Sequence, residues 1–183
     1  EEKLGTAMKS IGECMAIGRN FKESFQKAVR SLEIGLDGLN SNKSLKEKNK
    51  DELLELLSKN LPNKFLIIAE SIRKKISIEN IVKYSQYDSW FIHEISEIID
   101  FENILLKNFN EEILLKAKSI GFSDTRISKI SKVNIRKINS LKNKKKFSAK
   151  FKNIDTCAGE FQSFTPYMYS TWAFDHRDNK YEE

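Results

Sequence analysis

Proline is nearly missing from this chain, with two residues in 183, and there are only seven glycines and two cysteines. So few turn-formers cannot supply the tight connections that an all-β protein needs. Cys14 and Cys157 lie far apart, with no CxxC pattern and no neighbouring histidine. That spacing excludes a disulfide framework and argues against structural zinc, while leaving one long-range disulfide open. A reducing, cytoplasmic compartment is the natural expectation. No apolar run approaches the ~18 residues that span a bilayer. The first ~30 residues also lack the basic start and apolar centre of a secretory signal. The chain begins with Glu1 and not methionine, which reads as a processed polypeptide or a piece of a longer one.

What the chain does have is Leu, Ile, Lys, Glu and Asn, with 39% apolar and 32% charged residues. That balance favours helices joined by short loops. Asn20 caps a first helix, and Glu23 is placed to complete a capping box by reaching back to it. Phe21, Phe25, Ala28, Val29 and Leu32 recur on one face of that helix, and Gly35 is suited to stop it. The stretch from Asn40 to Lys50 reads as a surface loop. Asp51–Lys59 reads as a short helix with Leu53, Leu56 and Leu57 inward. Pro62 opens another over Phe65–Lys75, buried through Phe65, Ile68, Ala69 and Ile72, and Ser77–Tyr84 adds a turn or two.

The strongest element starts at an Asp88 cap. Phe91, Ile95, Ile98, Glu102 and Leu105 form a core-facing stripe broken only by Glu102. Glu111–Ile120 follows, stopped by Gly121. Ser123 caps a short helix with Ile127 and Ile130 inward, and Ile135, Ile138 and Leu141 define a last one. From Ile154 the chain is aromatic and irregular. No repeat of ~20 to 50 residues is present. These signals predict an all-α bundle of about eight short-to-medium helices, with extended irregular arms at both ends.

Charge is segregated. Lys129 to Lys152 holds ten Lys and Arg and no Asp or Glu, so a net +6 overall leaves −4 on the remainder. Together with the two short helices of Ser123–Leu141, this gives a helix-turn-helix look and one reading as a nucleic-acid binder. Against that reading, the basic run falls largely after the second helix, and only Phe147 and Phe151 are available for base stacking. A solvated basic surface is the favoured reading.

The residues that could carry chemistry are sparse. His93 and His176 have no partners at metal spacing, and His93 falls on the long helix as a surface or boundary residue. A nucleophilic Cys14 or Cys157 would need a base that the sequence does not place nearby. Gly12 and Gly18 lack the Gly-Lys-Ser/Thr ending of a phosphate loop. Arg19 beside a helix N-terminus is a weak anion site, and glycines permitting a tight backbone path are the simpler reading. The aromatic cluster Phe161, Phe164, Tyr167, Tyr169 and Trp172 is dense enough to require contact with another part of the chain or with a partner.

The two ends carry the most specific motifs. Gly5-Thr6-Ala7-Met8-Lys9-Ser10-Ile11-Gly12-Glu13-Cys14-Met15-Ala16-Ile17-Gly18-Arg19 stands near the start. Asp155-Thr156-Cys157-Ala158-Gly159-Glu160-Phe161 and Thr165-Pro166-Tyr167-Met168-Tyr169-Ser170-Thr171 stand near the end. Between them come Pro62-Asn63-Lys64-Phe65, Ile68-Ala69-Glu70, Asp88-Ser89-Trp90-Phe91 with Ile95, and Gly121-Phe122-Ser123-Asp124-Thr125-Arg126. In this order they resemble the large chain of carbamoyl-phosphate synthase across nearly the whole sequence. Gly159 departs from the family's usual Ala, and Trp172-Ala173-Phe174 replaces its usual Tyr-Glu.

That resemblance implies a non-catalytic connecting and oligomerisation domain, between two ATP-grasp halves of a parent ligase. The parent would make carbamoyl phosphate from bicarbonate, glutamine-derived ammonia and two ATP, with Mg or Mn, for pyrimidine and arginine synthesis. Residues 1–19 would end the first ATP-grasp unit, 20–152 would form the helical oligomerisation domain, and 153–183 would lead into the second half. Met8 and Glu13 would line the passage for carbamate. No catalytic, cofactor-binding or metal residue is implied within this segment. The implied partners are the two halves, a glutaminase subunit or domain, and further copies of the chain. No membrane is implied, and nucleic acid is disfavoured.

Overall fold

The computed structural model describes residues 4–10, 12–162, 164 and 167–173. Its helices are α1 (Phe21–Ser31), α2 (Lys43–Glu47), α3 (Lys50–Leu57), α4 (Lys64–Arg73), α5 (Ile78–Ser85), α6 (Ser89–Lys107), α7 (Glu111–Ser119), α8 (Asp124–Ser131) and α9 (Ile135–Lys144). Two strands follow, β1 (Lys150–Asn153) and β2 (Met168–Thr171). The mostly helical class expected from composition holds, and the strand pair adds to it.

Asparagine explains why so many short helices begin where they do. Its side-chain oxygen satisfies a first-turn N–H that has no partner inside the helix. Asn20 accepts from Glu23 N at 2.8 Å, Asn42 from Leu45 N at 2.7 Å, and Asn110 from Ile113 N at 2.9 Å. Asn49 and Glu52 form a complete capping box on α3. Asp88, Ser123 and Asn134 cap α6, α8 and α9 in the same manner. The cap at Asn42 corrects one expectation. Residues 40–50 are not simply a loop, because α2 forms there and buries Leu45. One buried leucine with a good cap outweighs the polar composition around it.

The chain divides into two units. One holds the residues up to Met15 with Val29–Ile104, and the other holds Ala16–Ala28 with the chain from Leu105 onward. In the first unit α3 packs on α4 and α5, α4 on α5, and α2 on α4. Leu53, Leu57, Ile67, Ile68, Ile81, Ile92 and Ile98 are its buried aliphatic centre. The expected stripe of α6 is buried at Ile95, Ile98, Glu102 and Leu105, but Phe91 is exposed and Ile92 takes the inward position instead. Glu102 is no flaw in the stripe, because Arg73 Nη2 donates to its carboxylate at 2.8 Å. Arg73 also reaches Glu70 at 3.4 Å and the carbonyl of Leu39.

In the second unit α8 packs on α9, and β1 pairs antiparallel with β2. Lys150 lies opposite Thr171 and Asn153 opposite Met168, and Ile154 N donates to Tyr167 O at 2.8 Å beyond the strands. The region expected to be wholly irregular is therefore in part a sheet. Its partner segments are separated by a loop, so pairing leaves no local periodic signal.

Candidate functional site

The second unit is organised around an acid. Glu23 lies in the first turn of α1 and is completely buried. Its Oε2 accepts from Arg19 N at 2.8 Å and from Thr171 Oγ1 at 2.9 Å. Its Oε1 accepts from Trp172 N at 3.3 Å and lies 3.4 Å from Lys27 Nζ. Lys27 in turn donates to Ile17 O at 2.8 Å and to the carbonyl of Ser170. A buried carboxylate is costly unless hydrogen bonds and an opposite charge replace its water. Here backbone donors, a hydroxyl and an ammonium do so.

Two glycines make room for this arrangement. A Cβ at Gly18 would sit 2.9 Å from Ser24 N and 3.0 Å from Glu23 Oε2. A Cβ at Gly121 would sit 2.7 Å from the Cα of Glu23, and Gly121 also holds φ at +97°. The tight backbone path expected at Gly18 is thus present, whereas nothing lies within 4 Å of a Cβ at Gly12. Beside Glu23 on α1, the buried Gln26 donates to Ile120 O at 2.8 Å.

The inward face of α1 is therefore Glu23, Gln26 and Val29, so of the apolar stripe that periodicity suggests only Val29 is fully buried. Phe21 and Phe25 are half-buried and stacked on each other at 5.2 Å, while Leu32 is 42% exposed. The capping box expected at Asn20 is half formed. Asn20 accepts from Glu23 N, but the Glu23 carboxylate takes Arg19 N, Thr171 and Trp172. The helix also ends at Ser31, short of Gly35, with Glu33 in the left-handed region at φ 54°.

A second charged cluster lies in the same unit. Asp124 accepts from Lys118 Nζ at 2.9 Å and pairs with Lys142. Burial works against its charge, but the two ammonium groups more than compensate, so its carboxyl is held below the ordinary 3.8. Lys118 and Lys142 stand 4.7 and 5.6 Å from the ring centroid of Trp172, which also meets Phe147 edge-on at 4.8 Å. Such cation–π contacts favour a large aromatic ring at this position. Lys145 pairs with Glu111 at 3.0 Å. The basic run is thus partly engaged by acids and an aromatic ring from its own unit.

The residues singled out from sequence scatter. Met8 and Glu13 are exposed in the segment before α1, with Met8 at 87%. Cys14 is exposed, Cys157 is half-buried, and Cys157 N donates to Asp155 at 2.9 Å in a tight turn. His93 is exposed on α6, and His176 lies outside the described residues. Arg19 offers no open anion site through its backbone, because its N–H is given to Glu23. Phe161, Phe164 and Tyr167 are exposed, whereas Tyr169 and Trp172 are half-buried. Gly159 holds φ at +76°, a conformation that glycine adopts without strain. Sequence reasoning missed Glu23 as a centre. Its only local signals were an acid in step with Gln26 and Val29, and glycines on its flank.

Among the described residues, the buried acids Glu23, Glu70 and Glu102 are each held by partners from the chain itself. They serve there to hold segments of a mostly helical fold together. The chain belongs to the family described as "Carbamoyl-phosphate synthetase large chain, oligomerisation domain", whose model matches residues 13–146. It is 41% identical over 173 residues to the carbamoyl phosphate synthase large chain, N-terminal section, of Aquifex aeolicus, covering 94% of this chain and 31% of that protein. It is 40% identical over 178 residues to the carbamoyl phosphate synthase large chain of Campylobacter jejuni, covering 92% of this chain and 16% of that protein. The corresponding Archaeoglobus fulgidus protein is 37% identical over 177 residues. The chain therefore spans from about a sixth to just under a third of the length of these relatives.

Proposed function

We propose that this chain serves as the connecting and oligomerisation segment of a carbamoyl phosphate synthase large chain, standing between two ATP-using halves of a ligase. The observation that carries the reading is the family match over residues 13–146, with relatives at about 40% identity over more than nine-tenths of the chain. In this reading residues 1–19 close the first ATP-grasp half, 20–152 form the oligomerisation domain, and 153–183 lead into the second half. The exposure of Phe161, Phe164, Tyr167 and Met168 supports a role for the last segment in packing against a following domain. Met8 and Glu13, exposed in the segment before α1, would face the passage for carbamate. The parent would work with a glutaminase in the cytoplasm, and its ATP and metal sites would lie in the flanking halves.

Two measurements test this reading. Sedimentation equilibrium from ~1 to ~100 μM should show reversible self-association, most simply a two-fold dimer. A strict monomer throughout would remove the oligomerisation role. Calorimetry should show no micromolar affinity for Mg-ATP, and such an affinity would overturn the non-catalytic assignment.

A further inference from the structure

The segment that enters α1 and the strand that closes the second unit are both held by the same two side chains. Glu23 accepts from Arg19 N on the entering segment, and from Thr171 Oγ1 and Trp172 N at the end of β2. Lys27, one turn further along α1, donates to Ile17 O on the entering segment and to Ser170 O on β2. The two clasping groups also neutralise each other at 3.4 Å. The partners separated most in sequence, Glu23 and Trp172, lie 149 positions apart.

We propose that Glu23 and Lys27 form a clasp that couples the segment at residues 16–19 to strand β2, so that loosening either one loosens the other. The physical basis is a shared acceptor. Arg19 N–H and Thr171 O–H converge on one carboxylate oxygen, and that oxygen is fixed only while both hold it. When β2 leaves, the carboxylate loses two donors and water reaches it in their place. The side chain then turns toward any remaining polar group, and the Arg19 bond weakens. The converse holds for Trp172 N–H when the entering segment is displaced, and equilibrium coupling is reciprocal by necessity. Gly18 sharpens the geometry, since any side chain there would press on Glu23 Oε2. In the connecting segment proposed above, the clasp would let a displacement on one flank reach the other. That extension rests on the proposed function, whereas the coupling itself does not.

Amide hydrogen exchange on the 183-residue chain, read by NMR, tests the coupling directly. Thr171→Val, a change on β2, should speed exchange of the Arg19 amide about tenfold, the size of effect associated with a hydrogen bond to a charged group. Arg19→Pro, which removes the N–H on the entering segment, should speed exchange at Trp172 by a similar factor. Thr171→Ser keeps the hydroxyl and should leave Arg19 at the wild-type rate, which a purely steric role for Thr171 would not require. The amides of α8, in the same unit but away from the clasp, report opening of that unit as a whole. If Thr171→Val unfolds the chain, Thr171→Ala replaces it, and must speed exchange at Arg19 while α8 stays protected. Variants that affect only their own segment would overturn the proposal. Self-association plays no part in this readout, so its failure and that of the proposed function remain distinguishable.

Discussion

The first unit has an interior of aliphatic side chains and one ion-paired cluster, in which Arg73, 20% exposed, joins the buried Glu70 and Glu102, all three within that unit. The second unit places a fully buried carboxylate between two glycines and satisfies it with donors from distant parts of the chain. The two interiors gain stability differently. Ile68 or Ile98 contributes by leaving water, which any neighbour of suitable shape permits. Glu23 contributes only while its donors stay in place, so it specifies one arrangement of α1, the residues before it, and β2. The contrast shows why one region is robust packing and the other a junction.

Replacing Glu23 by leucine should have the largest effect. The donors at Arg19, Trp172 and Thr171 would lose their acceptor, and a loss of about 3–5 kcal/mol in urea denaturation is expected. Ile68→Ala, which only opens a cavity in the first unit, belongs in the same range at about 3 kcal/mol. A cost below about 1 kcal/mol for Glu23→Leu would break the contrast, because the second interior would then tolerate an apolar centre like the first.

Next in size is a pair of glycines that share left-handed backbone but not surroundings. Gly121→Ala should cost about 2–3 kcal/mol, since its Cβ would meet the α1 backbone at 2.7 Å as well as carry strain at φ +97°. Gly35→Ala, at φ +79° with nothing within 4 Å, should cost about 1 kcal/mol from strain alone. Equal costs in thermal melts would mean that close approach at Glu23 is not what selects glycine at position 121.

The Asp124 cluster should produce a smaller, pH-dependent effect. Its carboxyl is held below the ordinary 3.8, so its stabilising contribution is complete above that value and is lost as pH falls through the lowered one. Asp124→Asn should therefore flatten the acid limb of the stability curve below about pH 4, while the wild type keeps a steeper fall. Identical acid limbs would show that Lys118 and Lys142 do not stabilise the carboxylate.

The smallest effect is expected at Leu32, an apolar residue on the stripe suggested by periodicity yet 42% exposed. Leu32→Ser should change stability by no more than about 0.5 kcal/mol. A loss above about 2 kcal/mol would mean that α1 buries the apolar face after all.

Much of the fold was legible in the chain. The caps at Asn20, Asp88 and Ser123, the stops near Gly121, and the leucines of α3 are local signals that act within one or two turns, and the structure follows them. The family resemblance was legible too, in ordered motifs along the chain, and the comparisons bear out the family. What was not legible lies where local rules compete with distant partners. Glu23 satisfies the pattern of a capping box, and nothing adjacent to it reveals that Thr171 and Trp172 will take the carboxylate. Leu45 sits in a polar stretch whose composition hides a helical turn. β1 and β2 lie too far apart for a hairpin signal.

By itself, then, the amino-acid sequence determined the helical class, most helix starts and part of the aliphatic centre of the first unit, at Leu53, Leu57, Ile68 and Ile98. Capping, propensity and periodic burial all act over a few residues. Only the tertiary structure decided that Glu23 and Gln26 turn inward on α1, that β1 and β2 pair, and that Lys118 and Lys142 both meet the ring of Trp172. Each of these depends on a desolvated charge or an unpaired backbone group finding its partner across a long stretch of chain. The cost of burying such a group alone is what makes the distant partner, and not the local pattern, the deciding term.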